Sequence, residues 1–184
     1  MQPGRPDALG ERVRARLAAD LGIAVDRVRV IDVYTIHAEL GPKDLTRVRD
    51  ELFTDVVIQE SRLDGALARD FDYLIEVGYL PGVTDNVGKS AAEGIADVIG
   101  RALTRSEAVY KSTQYLLSGP LDSAKCDRIA RGALANPPPG APISCSLPDN
   151  SFSAYAGSED IFRNTAPGTS ATNFLVTMIT ASNL

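Results

Sequence analysis

The apolar positions of this chain change period at Pro81-Gly82. Before that pair, Phe71, Tyr73, Ile75, Val77 and Tyr79 alternate with Asp72, Leu74, Glu76, Gly78 and Leu80, the period of two that a half-buried strand requires. After it, Val87, Ala91, Ile95, Val98, Ile99 and Leu103 recur at spacings of three and four, which gathers them into one stripe along a helix. Thr84, Asp85 or Asn86 stands where the first turn of that helix needs a cap.

The same helix pattern occurs earlier. Leu9, Val13, Leu17 and Leu21 form a stripe within residues 7–22, with Arg12 to Arg16 read as the wet side. At an offset of 78, Asp7 falls on Asp85, Leu9 on Val87, Gly10 on Gly88, Val13 on Ala91, Leu17 on Ile95, Leu21 on Ile99 and Gly22 on Gly100. A periodic match of this kind indicates internal duplication.

The duplication extends downstream. Val28, Val30, Tyr34, Ile36, Ala38 and Leu40 share one parity, and Arg29, Thr35, His37 and Glu39 the other, which predicts one long strand or a hairpin bent near Asp32. Its counterpart is Ala108 to Leu117, where Val109-Tyr110 matches Val33-Tyr34 and Leu116 matches Leu40 at an offset of 76. Leu45, Val48, Leu52 and Phe53 then make a second helical stripe, echoed by Cys126, Ile129, Ala133 and Leu134 after five extra residues in the preceding turn. Cys126 therefore reads as a core residue in place of a leucine.

Val56 to Ile58 is expected to be the short strand that closes the first unit before an Asp64-Gly65 turn. The second unit has Asn136-Pro137-Pro138-Pro139 at this point, and proline gives no N–H to a sheet ladder. One unit thus reads strand, helix, strand hairpin, helix, strand, the order of a ferredoxin-like α+β sandwich. The predicted organisation is two tandem ferredoxin-like units related by a pseudo-twofold, at 1–66 and 67–147, with 148–184 a tail of unclear structure whose apolar end, Phe174 to Ile179, either adds a strand or stays exposed. The first unit lacks its opening strand, so its sheet is expected to have an open edge suited to self-association.

Composition narrows the function. A chain of 184 residues with 44% hydrophobic and 23% charged residues buries a real core. A net charge of −5 offers nothing to nucleic acid or an anionic membrane surface. Two cysteines and one histidine are too few for a zinc cluster and suggest no disulfide framework, which fits a cytoplasmic protein. The expectation is no metal and no cofactor.

With the repeat established, the segments EVGYLPGVTDNVGKSAAEGI and VIDVYTIHAEL, and the ending Leu134 to Pro137, resemble the PurS family. That family comprises the small subunit of phosphoribosylformylglycinamidine synthase. Two tandem PurS-like units resemble the N-terminal domain of the single-chain form of that amidotransferase. The resemblance covers roughly residues 5–137 and then stops abruptly, as it would in a truncated or frameshifted product. It implies a non-catalytic bridge in de novo purine biosynthesis. Such a bridge docks a glutaminase subunit to the synthetase core, and so belongs to an ATP-dependent ligase without carrying its catalytic site.

The candidate sites are few. GVTDNVGKS follows a strand and precedes a helix, but five residues separate Gly82 from Gly88 where a phosphate-binding P-loop has four. Asp85, Asn86 and Lys89 remain candidates for contact with a partner or an anion at a helix start, against a bland reading in which Asp85 caps the helix and Lys89 is solvated. His37 shares its strand face with Glu39 and is read as a surface histidine, and Ser144-Cys145-Ser146 lacks an activating base. The alternative to an assembly domain is a stand-alone small-molecule-binding or regulatory module using Asp85 to Lys89.

Overall fold

The computed structural model describes residues 7–134, other than 56, 58, 65, 66, 69 and 80–82, together with the backbone of 144–146 and 175–182. In chain order the elements are α1 (Ala8–Leu21), β1 (Arg27–His37), α2 (Pro42–Arg47) with a wide π-helical turn at Val48–Leu52, and β2 (Gln59–Leu63). Then follow β3 (Tyr73–Gly78), α3 (Asn86–Ile99), β4 (Ala108–Ser118), α4 (Ser123–Ile129) with a second wide turn at Ala130–Leu134, β5 (Ser144–Ser146) and β6 (Leu175–Ser182). The fold is mixed α+β. All six strands join one open sheet in the order β2-β6-β1-β4-β3-β5, and every ladder in it is antiparallel.

The two long helices are built to one plan. Asp7 and Asp85 cap α1 and α3 by accepting from Gly10 N–H and Gly88 N–H, and each helix ends on a glycine in the left-handed region, Gly22 at φ 64 and Gly100 at φ 72. An aspartate carboxylate satisfies an otherwise unpaired N–H of the first turn, and glycine adopts the C-terminal conformation without a Cβ penalty. Leu17, Ala91 and Ile95 on the predicted stripes are buried, while Leu9 and Val87 at the start of each stripe stay exposed.

The centre of the sheet is the β1–β4 ladder, paired from Arg27↔Ser118 to His37↔Ala108. β1 is a single strand with no bend at Asp32. Its even positions face the helices in two clusters. One gathers Leu17, Val28, Val30, Ile75, Leu117 and Ile129; the other gathers Ile36, Val48, Phe53, Ala91, Ile95 and Val109. Both clusters draw on residues from either side of position 66, because α1 packs beside α4 and its following turn while α3 packs beside α2 and its turn. Cys126 lies fully inside, as its place in the second helical stripe predicts.

The opposite face carries a smaller cluster of Ile31, Val33 and Leu116, with Leu67, Ala68, Phe71 and Leu74 packed on it. The connection from β2 to β3 therefore lies across this face, held also by Arg27 Nη2, which donates to the Asp70 carboxylate at 2.6 Å. Phe71 joins this layer, on the other side of the sheet from Tyr73, Ile75 and Val77, so the strand begins two residues later than its alternation suggests.

Three expectations need correcting, and one that was left open is decided. The closing strand of the first half is Gln59–Leu63, after the predicted Val56 to Ile58; Asp55 takes the Val57 N–H on its side chain and the Gln59 N–H on its carbonyl, so the chain is turning there. Val56 and Ile58 lie outside the described residues. Second, the edge expected to be open beside β1 is filled, since β1 has β4 on one side and β6 on the other. Third, of the two alternatives left for the apolar end of 148–184, the added strand is the one formed, with Leu175–Ser182 paired to both β1 and β2. Fourth, the repeat offset in the strands is 81, not 76. Asp7 accepts from Val30 N–H and Asp85 from Lys111 N–H, so Val30 corresponds to Lys111 and Tyr34 to Tyr115. The extra residues lie before β4, where nine steps separate Gly100 from Val109 and only six separate Gly22 from Val28.

That longer connection is closed by a clamp. Arg101 makes a two-pronged pair with Glu107 at 2.8 Å on each oxygen. Glu107 also accepts from Thr104 N–H at 2.7 Å and from Glu39 N–H at 2.9 Å, which ties the end of β1 to the start of β4. The Arg101 guanidinium, aided by these two N–H groups, holds the Glu107 carboxyl far below the ordinary carboxylate range. A depressed carboxyl contributes stability above its unfolded value of about 4.3 and loses it as the pH falls. The Glu107→Gln variant is accordingly expected to melt lower than the parent at pH 7. Thermal melts should show the gap narrowing below about pH 4 and closing in strong acid, because the parent's clamp is then protonated too.

Candidate functional site

The site begins at the two capped helix starts. Asp7 uses one carboxylate oxygen on Gly10 N–H at 2.7 Å and the other on Val30 N–H at 2.9 Å. Asp85 repeats this with Gly88 N–H at 2.7 Å and Lys111 N–H at 2.7 Å. Each aspartate thus bolts its helix to the strand beneath it. The approach is close because the third helical residue is glycine: a Cβ on Gly10 would lie 2.1 Å from the Val28 carbonyl oxygen, and one on Gly88 2.4 Å from that of Val109.

Between the two bolts, the middle of the β1–β4 ladder is polar on the helix side. Lys111 Nζ pairs with Asp32 Oδ1 at 2.9 Å, with the lysine side chain 20% exposed and the aspartate 45%. Thr113 receives a hydrogen bond from Lys111 Nζ and donates weakly to Asp32 at 3.4 Å. Tyr34 and Tyr115 flank the pair. Burial, and then the charge of Asp32, push both phenols above their usual range; Asp85 adds to the effect at Tyr34, and Arg16 opposes it at Tyr115. Tyr34 also packs on Phe53 with ring centroids 4.5 Å apart. The result is an ion pair on a tyrosine-lined seam separating the two apolar clusters.

A second polar group lies on the opposite face. Glu76 accepts from Ser112 Oγ at 2.5 Å and from Gln114 Nε2 at 3.1 Å, and Gln114 is buried. The half-buried Glu76 carboxylate thus gives the buried Gln114 amide an acceptor on the neighbouring strand, which is how a buried polar group avoids a desolvation penalty.

No family model, curated protein or solved structure matches this chain.

Of the three residues singled out from sequence, Asp85 is half-buried and its two carboxylate oxygens are engaged, whereas Asn86 and Lys89 are exposed on the first turn of α3. A carboxylate already occupies the positive end of that helix. His37 is half-buried on the last position of β1, and Ser144–Ser146 forms the short edge strand beside β3. Pro81 and Gly82 of the loop compared with a P-loop lie outside the described residues, as do Asn136 to Pro139. Among the described residues no three His, Cys, Asp or Glu side chains are grouped to hold a metal, and no helix is long and apolar enough to cross a membrane.

The seam of Asp32, Lys111 and Thr113 escaped the sequence reading. A signal was present: Asp32 breaks the apolar run Val28, Val30, Tyr34, Ile36 at even positions, and Lys111 with Thr113 breaks the run Val109, Tyr115, Leu117 at odd ones. Two interruptions facing each other across a ladder mark a polar pair. The faulty offset hid the correspondence.

Proposed function

We propose that this chain is a non-catalytic assembly domain of the PurS-like kind, made of two tandem ferredoxin-like units and docking a glutaminase subunit to a synthetase core in purine biosynthesis. In this reading the units are α1, β1, α2, β2 with β6, and β3, α3, β4, α4 with β5, and the work is cytoplasmic. The observation that carries it is the twice-built frame: an Asp-x-x-Gly helix start bolted to a long strand, with the two long strands paired at the centre of one sheet. The acidic and basic groups nearest the frame are engaged in holding it, Asp7 and Asp85 on backbone N–H groups and Lys111 on Asp32. That use of charge suits a rigid bridge, since it fixes geometry between two docking partners.

The rival reading, a small-molecule module at Asp85 to Lys89, is favoured by the exposure of Lys89 and Asn86 at the start of α3. It has to accommodate an anion beside the Asp85 carboxylate, which repels it. The deciding experiment is gel filtration of this chain mixed with the glutaminase subunit and the synthetase core from the same organism. Co-elution of all three is expected. If the chain, folded by circular dichroism, elutes alone, the assembly reading is lost. A thermal shift with ATP or inorganic phosphate that disappears in Lys89→Ala would then establish the rival.

A further inference from the structure

The strand β6 occupies a singular place. It is the last element among the described residues, yet it lies inside the sheet, with Asp32 to His37 of β1 paired to one side and Gln59 to Leu63 of β2 to the other. Its position mirrors that of β3, which lies between β4 and β5. The two differ in how they are tied. The chain passes from β3 through α3 straight to its neighbour β4, whereas 28 residues, 147–174, separate β6 from β5 at the far edge of the sheet. Four strand spacings cover about 19 Å, and 28 residues reach up to about 90 Å.

We propose that the slot between β1 and β2 is a strand-exchange site, filled by β6 of a second copy of this chain as well as by its own. A donor strand at the end of a long connection loses little when its connection is no longer closed within one molecule, because closure entropy grows only with the logarithm of length. The pairing partners are identical in the two arrangements, which makes the exchanged dimer a low-cost alternative. β2 has β6 as its only ladder partner among the described residues, so whichever copy supplies β6 also fixes β2 in the sheet. Residues Leu175 to Ser182 contain no charge and no proline, as an interior strand with neighbours on both sides requires. This inference is independent of the purine-synthesis reading.

The test uses the whole 184-residue chain in a Cys145→Ser background, Cys126 being buried. One population carries Glu60→Cys and the other Ala181→Cys, residues that face each other in the β2–β6 register. The pair Ser61→Cys and Thr180→Cys is run alongside, since adjacent antiparallel pairs alternate in type and one of the two suits a disulfide. The populations are mixed, unfolded, refolded together and oxidised. A tethered strand competes at an effective concentration on the order of millimolar. Disulfide-linked mixed dimer is therefore expected to rise roughly in proportion to protein, about tenfold for each tenfold increase below that level. An out-of-register mixture, Glu60→Cys with Thr177→Cys, should give at least tenfold less. The proposal is overturned if chains carrying both cysteines link internally while mixed populations never link. It is equally overturned if no in-register pair links at all, or if the out-of-register mixture links as well.

Discussion

Replacing Gly10 or Gly88 with alanine is expected to destabilise the protein by about 3 kcal/mol each. On helix propensity alone the sign would be the reverse, because alanine in the first turns of α1 or α3 gains up to about 1 kcal/mol over glycine. Tertiary contact decides. The new methyl group would lie 2.1 Å from the Val28 carbonyl oxygen or 2.4 Å from that of Val109, and it would press on the capping aspartate, whose Oδ2 lies 3.0 Å away at Asp7 and 2.6 Å at Asp85. Those neighbours are backbone and an engaged carboxylate, so relief requires lifting the helix off its strand. Thermal melts should fall by about 10 °C for a chain of this size. Gly22→Ala is the control: that position meets nothing within 4 Å and suffers only its positive φ, a cost of about 1 kcal/mol. Gly10→Ala melting at or above the parent would mean that α1 does not touch β1 as described.

Loss of either bolt should have the next largest effect. Asp85→Ala removes the acceptor for Gly88 N–H and for Lys111 N–H at once. A lost cap costs about 1 kcal/mol and an unpaired N–H that is only part-buried about 1 to 2 kcal/mol, for an expected total of about 2 to 3 kcal/mol. Asn at the same position keeps a single oxygen. The cap or the strand N–H is then satisfied but not both, and urea unfolding should place Asp85→Asn between the parent and Asp85→Ala. Asp7→Ala and Asp7→Asn should follow the same order, since Asp7 makes the equivalent pair of bonds to Gly10 and Val30. Equal stability of Asn and Ala variants would show that the second oxygen contributes nothing.

Much of this frame was legible beforehand. The stripes on α1 and α3, the matching Asp-x-x-Gly starts and the glycine ends repeat at a constant offset, and each depends only on residues within a few turns. The parity of β1 was legible for the same reason. What misled was the string Val-Tyr, present at Val33-Tyr34 and again at Val109-Tyr110, which suggested an offset of 76. The bonds from Asp7 to Val30 and from Asp85 to Lys111 give 81 instead. Two matching residues along a strand are a weak guide to register: the slip from 76 to 81 is five, an odd number, so the match set Val109 against Val33 although the two side chains lie on opposite faces of the sheet.

The sequence by itself determined where α1 and α3 lie and which positions of β1 face them, because both follow from local periodicity. It left open which of Thr84, Asp85 and Asn86 caps α3 and whether β1 bends near Asp32, and it placed only Arg29, Thr35, His37 and Glu39 on the other side of β1, where Ile31 and Val33 are buried. The tertiary structure alone decided that α1 packs beside α4 and α3 beside α2, that Gln59–Leu63 is a strand, and that Leu175–Ser182 lies between β1 and β2. The five residues of β2, QESRL, show no apolar alternation, and their pairing depends on a segment more than a hundred residues away. Long-range pairing depends on chain closure and on which ladder groups remain unpaired in the assembled sheet, and neither quantity is written in any local pattern.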